Sequence, residues 1–108
     1  MAENRRVVVT GLGVVSPVGS TLDSFWAAIQ AGENGIGPIT YFDTTAFDTK
    51  FAGQVKGFNV EEFMSKKEAR HLDPFCHYGI AAAKMAVDDS GLDMAKEDAL
   101  RVGVNAAS

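Results

Sequence analysis

Cys76 and His77 stand side by side, the two residue types that a thiolate nucleophile and its proton acceptor would use. Both fall inside a predicted helix, where adjacent side chains point about 100° apart and do not face each other. Cys76 is near the start of that helix, a position that favours a thiolate. The better reading is a buried, inert cysteine. His71 and His77 are six residues apart, which is not a ligand spacing on one helical face, and no cysteine or histidine cluster surrounds them. No metal site is expected.

The stretch RRVVVTGLGVVSPVG, residues 5–19, reads as a strand running into a glycine loop. A dinucleotide fingerprint opens G-x-G-x-x-G directly into a helix. Gly11 and Gly13 fit, but Ser16 stands where the third glycine would be, and Pro17 has no amide to offer a phosphate. The helix starts only after about Gly19, and no strand ending in an acidic residue follows at the usual distance. The loop is therefore expected to be structural, and no cofactor is expected. A third candidate is KKEARH, residues 66–71. Lys66 and Lys67 fall in the first turn of their helix, where the dipole disfavours cations by about a few tenths of a kcal/mol. With Arg70 and His71 they make a positive spot on an acidic chain. It reads either as a solvated helix face or as a dock for an acidic partner, where charge speeds encounter.

The elements that must position these residues follow from periodicity and punctuation. Val7, Val8 and Val9 form a β-branched run of the kind buried on both faces of a parallel sheet. Ser20 is the expected N-cap of the next helix, with Asp23 near the positive end of its dipole. Leu22, Phe25, Trp26 and Ile29 share one helical face, and Gly32 stops the helix. Residues 33–50 read as irregular, with Phe42 and Phe47 pinning the loop. Residues 51–58 read as a short strand, and Asn59 as the cap of a short helical turn. Ser65 and Glu68 make a capping box. That helix ends by Leu72, because Pro74 disfavours helical geometry in the residue before it. Asp73 then caps a helix that carries Pro74 at its first position and ends at Gly91. Its run GIAAAKMAV is small or apolar, so a close-packed, buried helix is expected. RVGV, residues 101–104, reads as a second strand. The order predicts an α/β fold with a parallel sheet, cut soon after its last strand begins.

Composition sets limits on the partners. The chain has 108 residues, 46% hydrophobic and 22% charged, with a net charge of −4. That is ordinary globular composition, and an acidic balance argues against a general nucleic-acid binder. A single cysteine permits no internal disulfide and fits a reducing compartment. No run reaches the length of a signal peptide core or a membrane span, so a cytoplasmic chain with no membrane span is expected.

Five stretches in register carry a family resemblance. RRVVVTGLGVVSPVG, GENGIGPITYFDTTAFDTKFAGQVKGFN, SKKEARHLDPF, YGIAAAKMAVDDSGL and RVGV together resemble the N-terminal part of a bacterial β-ketoacyl-acyl carrier protein synthase, type II. The resemblance covers nearly all of residues 5–104. It implies a thiolase-like layered αβαβα fold, of which residues 1–108 would be an incomplete N-terminal portion, and a homodimer when full length. It implies fatty-acid chain elongation by decarboxylative condensation of an acyl-enzyme with malonyl-acyl carrier protein. Such an enzyme uses a cysteine nucleophile and two histidines, and none of them corresponds to Cys76, His71 or His77. No catalytic residue is expected in this chain. The resemblance also implies that Lys66, Lys67, Arg70 and His71 meet the acidic acyl carrier protein, with His71 where another lysine often appears. The ending Asn105–Ser108 departs from the family's usual apolar residues and Gly-Ser-Gly. Two other readings stay open: a non-catalytic truncated domain that only binds a carrier protein or a complementary chain, and a condensing enzyme of polyketide synthesis.

Overall fold

The computed structural model describes residues 3–108. Helix α1 spans Leu22–Ala31. Its cap is Thr21, one residue later than expected. From Thr21 the residue three positions on is Ser24, so two hydroxyls can close a reciprocal box: Ser24 N–H donates to Thr21 Oγ1 and Thr21 N–H to Ser24 Oγ, both at 3.2 Å. Ser20 has no such partner, and its hydroxyl is left buried and unpaired. Asp23 lies in the first turn, and Gly32 ends the helix in the left-handed region at φ 68°.

Strands β1 (Ile36–Pro38) and β2 (Phe51–Gly53) pair antiparallel, with Gly37 opposite Ala52. Strand β2 stops at Gly53 instead of running to residue 58. The ladder ends at Ile36, just after an Asx turn in which Ile36 N–H donates to Asn34 Oδ1 at 3.0 Å. The chain after Gly53 is held by side chains instead. Gln54 Oε1 accepts from Thr40 N–H at 3.0 Å, and Tyr41 O–H donates to Val55 O at 2.8 Å. In the intervening loop Phe42 and Phe47 meet edge to face at 5.5 Å, as expected of a pinning pair.

Asn59 caps the 3₁₀ turn Val60–Glu62 by accepting from Glu61 N–H. Helix α2 is the single turn Lys66–Ala69, and α3 is the long helix Pro74–Ser90. Asp73 precedes α3 with extended backbone. Its carbonyl, not its side chain, receives the first amides, from Cys76 at 3.0 Å and His77 at 3.3 Å. Gly91 ends α3 with φ 67°.

Two expected strands are not strands. Val7, Val8 and Val9 belong to no strand, and Val7 is 92% exposed. Residues 99–101 form a 3₁₀ turn capped by Asp98, after which Val104 is 93% exposed. The reason is shared: extended backbone needs a neighbour to take its donors and acceptors. Among the described residues the only sheet is the antiparallel β1–β2 pair. The first segment is instead held by α3. A Cβ at Gly13 would overlap Ala82 O and lie 2.8 Å from Ala86 N, and one at Gly11 would overlap Ala86 O. The small residues of α3 thus admit another backbone, and Leu12 N–H adds a bond to Asp89 Oδ2 at 2.9 Å, but the helix is not buried as expected, since Ala81 is its one buried residue and no second layer covers the rest.

Large side chains have little cover. Among the described residues the buried hydrophobic ones are Ala28, Ala69 and Ala81, while Trp26 is 57% and Ile29 49% exposed. The apolar face of α1 therefore exists as a pattern but is only partly covered. Accessible surface is 9057 Å², against about 5,800 Å² for a folded monomer of this mass. The radius of gyration is 17.7 Å, against about 13 Å for a compact domain of this length.

Candidate functional site

The basic segment is built from its cap outward. Ser65 Oγ accepts from Glu68 N–H at 3.2 Å, Ser65 N–H donates to Glu68 Oε2 at 3.0 Å, and the Ser65 hydroxyl donates to the same oxygen at 2.6 Å. The Ser65 hydroxyl and then its amide hold the Glu68 carboxyl below its ordinary range, with a smaller contribution from Lys84. This engagement turns the segment's own carboxylate toward its cap. Lys66, Lys67 and Arg70 stay exposed, and among the described residues the only ion pair is Lys96 with Asp93. His71 is exposed just beyond them, its amide on Glu68 O at 3.0 Å. The structure thus brings Lys66, Lys67, Arg70 and His71 onto one short stretch of surface, with none of them in an ion pair with the Glu68 carboxylate among them.

An aromatic cluster supports that stretch. Phe58 stacks on Phe63 at 5.7 Å and meets Tyr78 of α3 edge to face at 5.2 Å. Burial, and then the Tyr41 hydroxyl beside it, push the Tyr78 phenol above its ordinary value. Two side chains of α3 also reach the segment directly. His77 Nε2–H donates to Ala69 O at 2.9 Å, the carbonyl being able only to accept, and Lys84 Nζ donates to Phe63 O at 3.2 Å. Sequence reasoning weighed His77 only as a possible base or ligand and passed over Lys84. The available signal was their spacing: His77, Ala81 and Lys84 fall at i, i+4 and i+7 on one face of a helix.

Cys76 and His77 do not work together. Cys76 is half-buried and lines an open cleft of about 700 Å³ with Phe75, Tyr78, Ile80 and Val104, while His77 bonds to α2. Among the described residues no three His, Cys, Asp or Glu side chains group to hold a metal ion. The glycine loop closes on itself. Ser16 N–H bonds Gly19 O at 3.0 Å, Gly19 N–H bonds Ser16 O at 3.3 Å, and Val18 N–H bonds Ser16 Oγ at 3.3 Å. The amides of Ser16, Val18 and Gly19 are engaged within the loop, and Leu12 N–H is taken by the Asp89 carboxylate. Among the described residues no helix is long and apolar enough to cross a membrane.

Comparison with known proteins agrees with this architecture. The family described as beta-ketoacyl synthase, N-terminal domain, matches residues 4–108, and the chain belongs to that family. It is similar to the 3-oxoacyl-[acyl-carrier-protein] synthase 2 of Vibrio cholerae, with 58% identity over 100 residues, covering 93% of this chain and 24% of that protein. The Synechocystis protein of the same name is 43% identical, covering 94% and 24%, and that of Staphylococcus aureus is 44% identical, covering 96% and 25%. The chain thus spans about a quarter of the length of these relatives. Among solved structures, the ishigamide ketosynthase/chain length factor superposes with a TM-score of 0.75 at 39% identity, over 82% of this chain and 22% of that one. The fold class read from the sequence, the N-terminal part of a thiolase-like α/β structure, is the one shared with this ketosynthase.

Proposed function

We propose that residues 1–108 are the N-terminal portion of a β-ketoacyl synthase domain. In this reading the whole protein extends fatty-acyl chains by decarboxylative condensation with malonyl-acyl carrier protein. The cysteine nucleophile forms the acyl thioester and two histidines support decarboxylation and the oxyanion. None of Cys76, His71 and His77 is assigned to that chemistry. The segment's own part is to present a docking surface for the acidic carrier protein through Lys66, Lys67 and Arg70, with His71 at its edge. The observation that carries this is the exposed cluster of cations, unpaired because the one carboxylate among them, Glu68, is bonded to Ser65. Identity of 58% to a 3-oxoacyl-[acyl-carrier-protein] synthase 2, against 39% to the ketosynthase/chain length factor, favours fatty-acid over polyketide substrates. The whole protein is expected to be a cytoplasmic homodimer.

The test is charge reversal in the full-length protein. Lys67→Glu with Arg70→Glu is expected to weaken acyl carrier protein binding by about tenfold or more at low salt, with the difference shrinking as salt rises. Calorimetric titration at two ionic strengths reads both effects, and unchanged affinity at low salt would refute the dock.

A further inference from the structure

We infer that His77 and Lys84 are positioning residues that sling the basic segment from α3 and set the direction in which its cations project. The inference rests on the docking role proposed above. Helix α2 is a single turn of four residues. So short a helix does not hold itself in water, because nucleation is unfavourable and too few bonds follow it. Its cap closes the first end internally, through Ser65 and Glu68. Its orientation must come from outside.

The outside contacts come at both ends of the segment. Before the cap, Lys84 Nζ donates to Phe63 O at 3.2 Å; after the turn, His77 Nε2–H donates to Ala69 O at 2.9 Å. Ala69 O already accepts from Leu72 N–H at 3.3 Å, and His77 fills the second acceptor position of that carbonyl at the shorter distance. Between the two tethers on α3 lies Ala81, which is fully buried, and on the segment Ala69 is 8% exposed. The link to α3 is made by these two polar side chains, one on either side of the turn. Lys84 also stands near enough to Glu68 to favour its charged form. One helical face thereby fixes the segment's height and tilt, while Lys66, Lys67 and Arg70 remain exposed.

The full-length protein decides this, with purified acyl carrier protein as the probe and hydrogen exchange of residues 65–71 as a readout that needs no partner. In His77→Phe the ring stays but the donor goes. Exchange in that segment is expected to rise, and carrier affinity to fall, each by about two- to tenfold, the ratio that one hydrogen bond's net contribution gives. His77→Gln keeps an N–H donor at similar reach and is expected to restore both. Lys84→Met is expected to act in the same direction at the other end. Wild-type exchange in His77→Phe overturns the proposal, as does a loss that His77→Gln fails to repair. Unchanged affinity in the Lys67→Glu, Arg70→Glu variant would instead refute the dock itself, leaving the tethers to be judged by exchange alone.

Discussion

The stretch from Phe63 to His71 and the stretch from Val102 to Ser108 both border α3, yet they are held very differently. The first closes its own cap and receives a side-chain bond from α3 at each end. The second forms a backbone bond at Val102 and none beyond it among the described residues, and it leaves Val104 93% exposed. The difference is one of range. Caps and helical turns satisfy their donors within three or four residues. Extended segments need a neighbouring strand, which the described residues do not supply for Val7–Val9 or for 102–108. An apolar face such as Leu22, Trp26 and Ile29 likewise has its pattern but only partial cover.

The place where this contrast could break is Gly13, which lies outside any helix or strand but is packed tightly. A Cβ there would meet backbone on α3, at Ala82 O and Ala86 N, and backbone cannot swing aside. Gly13→Ala is expected to destabilise the full-length protein by about 2–3 kcal/mol, seen as a lower denaturant midpoint. A change under about 0.5 kcal/mol would mean that residues 5–15 slide freely along α3, and the segment would join the loosely held class. Ser65→Ala sharpens the other side. It is expected to cost about 1 kcal/mol and to raise hydrogen exchange in residues 66–70 far more than in α1. Exchange rising equally in α1 would show that the cap is not a local device.

The smallest effect is a pH dependence. Glu68 is held below its ordinary value of 4.5 in the folded chain, chiefly by the Ser65 hydroxyl and then its amide. Its contribution to the cap is therefore complete above the unfolded value and is lost as pH falls through the lower folded one. Exchange of the Ser65 and Glu68 amides, corrected for intrinsic pH effects, is expected to quicken below about pH 4.5. It should change little with salt, because the leading causes are hydrogen bonds. Protection that strengthens on acidification would reverse the assignment.

Much of the local structure was legible because it depends on local chemistry. The Ser65–Glu68 box, the Asn59 cap, Pro74 at the first position of α3, and the stops at Gly32 and Gly91 all lie where the sequence places them. The cap of α1 moved from Ser20 to Thr21 because a two-hydroxyl box with Ser24 outweighs a single hydroxyl. The strand expected over residues 51–58 ends at Gly53, where its partner begins after the Asn34 turn, which no reading of residues 51–58 alone could reveal. The positive segment was legible as residue types. Its geometry was not, because the tethers come from His77 and Lys84, whose roles depend on where α2 lies in space.

The contact of Gly13 with Ala82 also says something about time. About seventy residues separate the two positions, and closing so long a loop costs entropy before any packing repays it. The capped helices have no such delay. They can form and break within themselves while the first segment is still searching for α3. That contact is then a late latch. Disturbing it with Gly13→Ala should leave the refolding rate nearly unchanged and appear as faster unfolding, so the full-length protein would lose lifetime rather than speed of assembly.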